Sequence, residues 1–298
     1  KTPTVPNLIA LKSGRQNGQW RDSNEGLGGG RYAYDVNAMF VPAALEAAAR
    51  LHKAGLLDPY LTSADRAVFA RAAVDARIWR RYAPRPFKVT IPADQAKSAV
   101  ASYAASLGVP ADPAIAAIGT APLTFHAISL DDKGVPIPIV NTDEAFDLMF
   151  GMPAPAELET SVRAMMRPFP AGLLTDVGVV VANAAHTAPK LQADFTPAKY
   201  HGAVVWSWQQ ALLAAGLERQ LARTDLPATT RATLMRAQDD LWRVIKAARA
   251  VQSSELWSWA FKDGAYQVVA FGAGKQDVDE SNAAQLWSTV YLAVQPPR

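Results

Sequence analysis

Residues 199–223 constrain the fold most. Read as a helix they are apolar on more than one side, and the apolar segment from Trp206 to Leu217 is broken by Gln209 and Gln210. A helix that is hydrophobic most of the way round has to be covered by neighbours on several sides, and helices packed in layers satisfy that requirement. No repeat of fixed length and sequence runs along the chain, which argues against a helical-repeat solenoid and leaves a helical toroid as the expected architecture. At 298 residues, half of them hydrophobic, the chain is long enough to bury a large core.

The other segments read mostly as helices. Residues 37–53 form an Ala-rich helix after the Gly28-Gly29-Gly30 loop, with Phe40, Leu45, Ala48 and Leu51 roughly on one side. A second helix begins near Ser63, a good N-cap, and runs to about Tyr82, where Pro84 and Pro86 stop it. Residues 92–107 form a third, ended by Gly108, and the Pro- and Ala-rich stretch 109–122 is a connector. Asp131-Asp132-Lys133-Gly134 is a turn between short strands at 125–130 and 137–140. Helices resume at 143–150 and 156–167, then 199–223 and 229–252, the last with Leu234, Leu241, Ile245 and Ala248 on one stripe. Residues 257–261 and 266–271 read as a second hairpin around Lys262-Asp263-Gly264, and Asp279 or Ser281 starts a final helix through Tyr291. The expected class is all-α, one helical domain with short β-hairpins in its loops.

Composition narrows the function. The net charge is only +3, and the 30 basic residues are interspersed with 27 acidic ones rather than gathered in a run, so no nucleic-acid partner is expected. No stretch approaches the ~18 uninterrupted apolar residues of a membrane span, so no membrane partner is expected either. Without cysteine, disulfides and thiolate metal sites are excluded. The four histidines, His52, His126, His186 and His201, are not spaced as metal ligands, and no metal or cofactor is expected. The opening Lys1-Thr2-Pro3-Thr4-Val5-Pro6 is not a signal peptide, although a mature exported chain would have lost one, which leaves the compartment open.

Two aromatic-and-carboxylate segments point to a sugar. They are Gln19-Trp20-Arg21-Asp22-Ser23-Asn24-Glu25 and Ser253-Ser254-Glu255-Leu256-Trp257-Ser258-Trp259. Sugar rings present flat C–H faces and polar edges, so their sites combine aromatic platforms with carboxylates, and glycoside hydrolysis needs one acid and one base. Tyr32 and Tyr34 are further platform candidates beside the glycine loop, and Trp206 and Trp208 serve equally well as core residues of a buried helix. Trp257 and Trp259 have strand alternation and share a face, which Glu255 joins if the strand reaches it.

Four stretches resemble the catalytic (α/α)6 barrel of glycogen-debranching amylo-glucosidases and the related bacterial glucosidases and trehalases. Trp20-Arg21-Asp22-Ser23, a Gly-rich loop and Tyr34-Asp35-Val36-Asn37-Ala38-Met39-Phe40 are similar to that family's Trp-x-Asp segment and acidic-x-Asn-Ala helix start. Leu173-Leu174-Thr175-Asp176-Val177-Gly178 resembles Leu-Thr-Pro-x-Gly, with Asp176 where Pro is usual. Tyr200-His201-Gly202-Ala203-Val204-Val205-Trp206-Ser207-Trp208 resembles Tyr-His-x-Gly-x-Val-Trp-Pro-Trp, shifted by one residue around Gly202 and with Ser207 replacing Pro. Gln285-Leu286-Trp287-Ser288 resembles the Gln-x-Trp-Ser that opens the closing helix.

The resemblance implies an inverting, exo-acting glycoside hydrolase on an α-linked glucoside or related oligosaccharide. It places Asp22 as general acid and Glu255 as general base, with Trp20, Arg21, Tyr34, Asn37, Tyr200, His201, Trp206, Trp208, Trp257 and Trp259 around the substrate. Arg21 must then point away from Asp22, because pairing would lower the pKa of the acid and spoil it. Glu25 and Glu280 are the competing acids. The resemblance also puts the acid near the middle of the barrel, whereas Asp22 lies near the start of this chain. The toroid is therefore expected to be incomplete here, its N-terminal half lying in the same precursor or in a partner chain. Two other readings stand beside this one: a catalytically silent sugar-binding or structural toroid, and a helical scaffold for protein partners, which requires an exposed apolar groove and no convergent acids.

Overall fold

In the computed structural model the described residues are 2–15, 19–272 and 286–297. Nine α-helices lie among them: α1 (Val41–Lys53), α2 (Ser63–Tyr82), α3 (Ala93–Leu107), α4 (Asp112–Ile118), α5 (Glu144–Phe150), α6 (Pro155–Met166), α7 (Pro189–Gln192), α8 (Ser207–Leu221) and α9 (Ala228–Ala247). A π-helical segment, Asp35–Phe40, leads into α1. Its cause is local: Pro42 has no N–H to offer Ala38, and the turn widens so that the Val41 N–H reaches the Val36 carbonyl. A capping box starts α2, with the Thr62 side chain accepting from the Asp65 N–H while Asp65 accepts from the Thr62 N–H.

The all-α expectation is corrected. About 51% of the structure is helix and 14% strand, and among the described residues the strands form five small sheets, so the class is mixed α and β. Lys88–Ile91 pairs with Leu123–His126, which takes the expected first strand away from a simple hairpin. Ser129–Leu130 instead lies between Tyr32–Ala33 and Pro136–Ile137. The largest sheet departure falls at 199–223. Val205–Trp206 is a strand pairing with Leu256–Trp257, and α8 begins only at Ser207. Gly202 explains the late start, because a Cβ there would stand 2.2 Å from the Thr196 carbonyl oxygen, and the tight turn at 196–202 delivers β-branched Val205 to the sheet. The connector at 109–122 holds α4, with proline in its first turn. The start of the expected final helix lies outside the described residues, and Leu286–Leu292 is 3-10 helical.

Helix α8 is covered within this chain, so its all-round apolar pattern does not require a missing barrel half. It packs against α5, α9 and the Leu286–Leu292 segment, and nine of its residues are buried. The main hydrophobic cluster draws on α3, α4, α6, α8, α9 and the long hairpin Leu256–Lys262/Ala265–Ala270. Two smaller clusters meet at Trp20 and Trp208: one holds Tyr34, Phe87 and Phe146, the other Val181, Val204, Trp206 and Leu256. No helix among the described residues is long and apolar enough to cross a membrane.

Candidate functional site

The loop that carries Asp22 is fixed from beneath by Arg21. Its fully buried guanidinium lies with Nε 3.2 Å from both carboxylate oxygens of Asp143 and with Nη2 2.9 Å from Oδ1, and Nη2 also donates to the Val181 carbonyl at 2.8 Å. The same guanidinium stacks 4.2 Å over the Trp20 ring, whose Nε1 donates to Asp143 at 3.2 Å. Ser129 Oγ donates to the Leu27 carbonyl at 2.6 Å and pins the glycine end of the loop. Only glycine fits there, since a Cβ on Gly30 would sit 1.9 Å from that hydroxyl. Arg21 is thus turned away from Asp22, as a general acid at that position requires, but it is a positioning residue and lines no cleft.

Beside Asp22 the aromatics form a box. The His201 ring stacks on Trp206 at 5.2 Å and 7°, while Trp20 presents its edge to His201, Trp206 and Trp208 at 5.4, 5.8 and 5.1 Å. Tyr200 closes the box edge-on to His201 and Trp206, and Trp206 Nε1 donates to the Tyr200 carbonyl at 2.9 Å. Ser23 Oγ is 2.8 Å from His201 Nδ1, and Asp22 Oδ1 is 3.7 Å from Nε2. Burial, with the Arg21 charge nearby, pushes the His201 pKa down to about 3. At neutral pH the imidazole is therefore uncharged, and its approach to Asp22 is not an ion pair.

A cleft of about 300 Å³ opens beside Tyr200 and His201, its charged lining being Asp22, Glu25, Asp194 and Lys199, while Glu255, Trp20, Trp206 and Trp208 lie outside that lining. The Asp22 side chain is 66% exposed at its rim. Glu255 approaches from the other side of Tyr200, whose hydroxyl donates to its Oε1 at 2.6 Å, and the glutamate is buried at 4% exposure. Glu255 precedes the strand Leu256–Lys262 and is held through its backbone, the Ser207 N–H and hydroxyl both donating to its carbonyl. Two acids separated by most of the chain are thereby brought to adjacent residues, Tyr200 and His201.

Several expected substrate contacts lie elsewhere. Asn37 is fully buried and bonds the Ile9 backbone at both its N–H and its carbonyl, so it ties the N-terminal strap to the helix start. Tyr34 is buried in another cluster and donates to Glu144 at 2.9 Å. Trp257 and Trp259 share a face, as strand alternation requires, but it is the core face: their indole N–H groups donate to the carbonyls of Val177 and Ala203. Trp206 is the buried floor of the box, and Trp208 backs it against Phe146 and Trp287. Glu280, the competing acid, falls outside the described residues, and Glu25 lines the cleft.

Two charged clusters were not foreseen. Asp35 is fully buried next to Asp143, and burial and that neighbouring carboxylate push its pKa well up, while Asp143 pairs with Arg21. Glu144 accepts from His126 Nδ1 at 2.6 Å and from Tyr34 and Ser161 hydroxyls at 2.9 Å each. Burial alone would raise its pKa, but these three donors hold it below the ordinary glutamate value, and Glu144 in turn raises His126 against the burial that opposes its charge. The sequence signal was the pair Asp143-Glu144 at a helix start, which reads as favourable charge at an exposed N-terminus. Among the described residues no three His, Asp or Glu side chains gather as a metal site. No known family model matches the chain, and no curated protein is similar to it in sequence.

Proposed function

We propose that the chain is an inverting glycoside hydrolase acting on an α-linked glucoside or related oligosaccharide, with Asp22 as general acid and Glu255 as general base. The observation that carries this reading is that the two carboxylates meet the adjacent residues Tyr200 and His201, which pack with Trp20 and Trp206. A pyranose ring in the cleft would rest against Tyr200 and present its glycosidic oxygen to Asp22 at the rim. Asp22 gives its proton to the leaving oxygen as the C1–O bond breaks. Water attacks C1 from the opposite face and yields a proton to Glu255, so the configuration at C1 inverts. The Tyr200 hydroxyl keeps Glu255 in place for that step, and the uncharged His201 offers a sugar hydroxyl a neutral partner.

The test is kinetic and stereochemical. Against a panel of α-linked disaccharides, the first-formed sugar followed by NMR should carry the opposite anomeric configuration to the substrate. Asp22→Asn and Glu255→Gln should each lower turnover about a hundredfold or more with sugar binding retained, as expected for groups that act mainly in the transition state. Undiminished turnover in Asp22→Asn would move the acid to Glu25, and retention of configuration would replace the inverting scheme. The exposure of Asp22 favours a second reading, sugar binding without hydrolysis, since a general acid is ordinarily more enclosed. Tight binding of a disaccharide with no turnover in the unmodified protein would establish that reading.

A further inference from the structure

A second cavity, of about 750 Å³, lies away from the acidic cleft and has the opposite electrostatic character. Its size is within the ~300–1,000 Å³ of small-molecule sites. One wall is the C-terminal end of α2 and the turn beyond it, which present Arg77, Arg81, Arg85 and Lys88. None of these four cations has an ion-pair partner among the described residues. Arg80, in the same wall, is fully engaged by Glu46, Asp147 and the Phe150 carbonyl. Arg81 and Arg85 both lie over the Tyr82 ring, at 5.5 and 4.5 Å from its centroid, and Arg85 Nε donates to the Arg81 carbonyl at 3.0 Å, so the two forks are partly ordered in advance. Basic residues compensate the dipole at a helix C-terminus. That accounts for Arg81, but not for Arg77 one turn earlier or for Arg85 and Lys88 beyond the end.

The floor is the His126–Glu144 pair. Both carboxylate oxygens of Glu144 are occupied by protein donors, so it offers a ligand no bare acceptor. His126 is held at Nδ1, stacks on Tyr34 at 4.9 Å and 16°, and its Nε2 makes no hydrogen bond to the described residues. The first turn of α6 also lines the cavity, through Ala156 and Glu157, and the positive end of the helix dipole there favours an anion. Once the Arg80–Asp147 and His126–Glu144 pairs are set aside, four cations face one exposed carboxylate, Glu157.

We propose that this cavity binds a small organic phosphate monoester, its dianion held by the arginine forks of Arg77, Arg81 and Arg85 and by Lys88, its body resting towards His126. Arginine forks match phosphate oxygens two at a time, and several unpaired cations on one wall suit a dianion better than a carboxylate. The volume leaves room for an organic body beyond the phosphate itself. The proposal is independent of the carbohydrate reading, since it shares no residue with the acidic cleft.

Phenyl phosphate, inorganic phosphate and benzoate are the probes, titrated into the full chain by calorimetry while the ring protons of the four histidines are followed by NMR. Phenyl phosphate should bind saturably, at least tenfold more tightly than benzoate, and shift the His126 resonances in the unmodified protein while leaving those of His201 in place. In Arg81→Ala/Arg85→Ala, where both side chains are exposed, its Kd should rise tenfold or more, and in Asp22→Asn it should not change. Inorganic phosphate should bind more weakly than the ester. Binding without a His126 shift, an unchanged Kd in the double variant, equal affinity for benzoate, or no saturable binding would each overturn the proposal.

Discussion

Arg21 shows how a residue next to a proposed acid can hold its loop from behind. Its partner Asp143 is 122 positions away, and successive side chains in the irregular loop leave in opposite directions, Arg21 inward and Asp22 to the rim. A sequence lists the two as neighbours and cannot say which way either points. Removing one member of a buried ion pair leaves the other charged and unsatisfied, at a cost of about 3–5 kcal/mol. Arg21→Met and Asp143→Leu should each lose about that much in urea denaturation, with the double variant Arg21→Met/Asp143→Leu losing clearly less than the sum. Additive losses, or single losses below about 1 kcal/mol, would show that the pair does not anchor the loop. The misplacement of Trp257 and Trp259 has the same origin: alternation tells that they share a face, and burial against Val177 and Ala203 decides which one.

At the scale of elements, local signals were reliable where their physical basis is local. The α2 helix ends where proline forbids continuation, and α3 ends at Gly108, which adopts a left-handed φ of 66°. The long hairpin turns on Asp263-Gly264 with φ of 52° and 79°, the positive pair that an Asp-Gly two-residue turn supplies. The two-residue strands were not legible, because a pair such as Val205–Trp206 becomes a strand only when Leu256–Trp257 lies beside it. Between α5 and α8 the decisive element contact is a glycine. A Cβ on Gly216 would stand 2.8 Å from the Leu148 Cβ, with the α5 backbone at 3.3 Å behind it. Gly216→Ala should therefore destabilise by about 1–3 kcal/mol despite its better helix propensity, seen as a lowered Tm in thermal denaturation. An unchanged or raised Tm would show that α5 and α8 can part without cost.

For the whole molecule, stability against pH follows from which titrating groups the fold encloses. Burial lowers His186 to about 4 and His201 to about 3, so both are neutral when folded and protonate readily when unfolded. Their contribution is fully present above the unfolded value near 6.5 and is lost as pH falls towards those folded values. Asp147, raised to about 6 chiefly by burial, acts in the opposite sense and gains stability as pH falls from 6. His186→Leu should accordingly flatten the acid limb, sparing about 2–3 kcal/mol of the loss between pH 6.5 and 4 in urea denaturation series. An acid limb parallel to that of the unmodified protein would mean that His186 titrates normally. The sequence by itself determined the helices with clear stops and the long hairpin, because propensity, capping and turn chemistry act over a few residues. Only the tertiary structure decided that Tyr200 holds Glu255, that Arg21 reaches Asp143, that Tyr34 and Glu144 serve a different cavity, and that the class is mixed rather than all-α. Those outcomes depend on which distant groups exclude water from one another, and the cost of an unpaired buried charge or N–H is set by the finished packing.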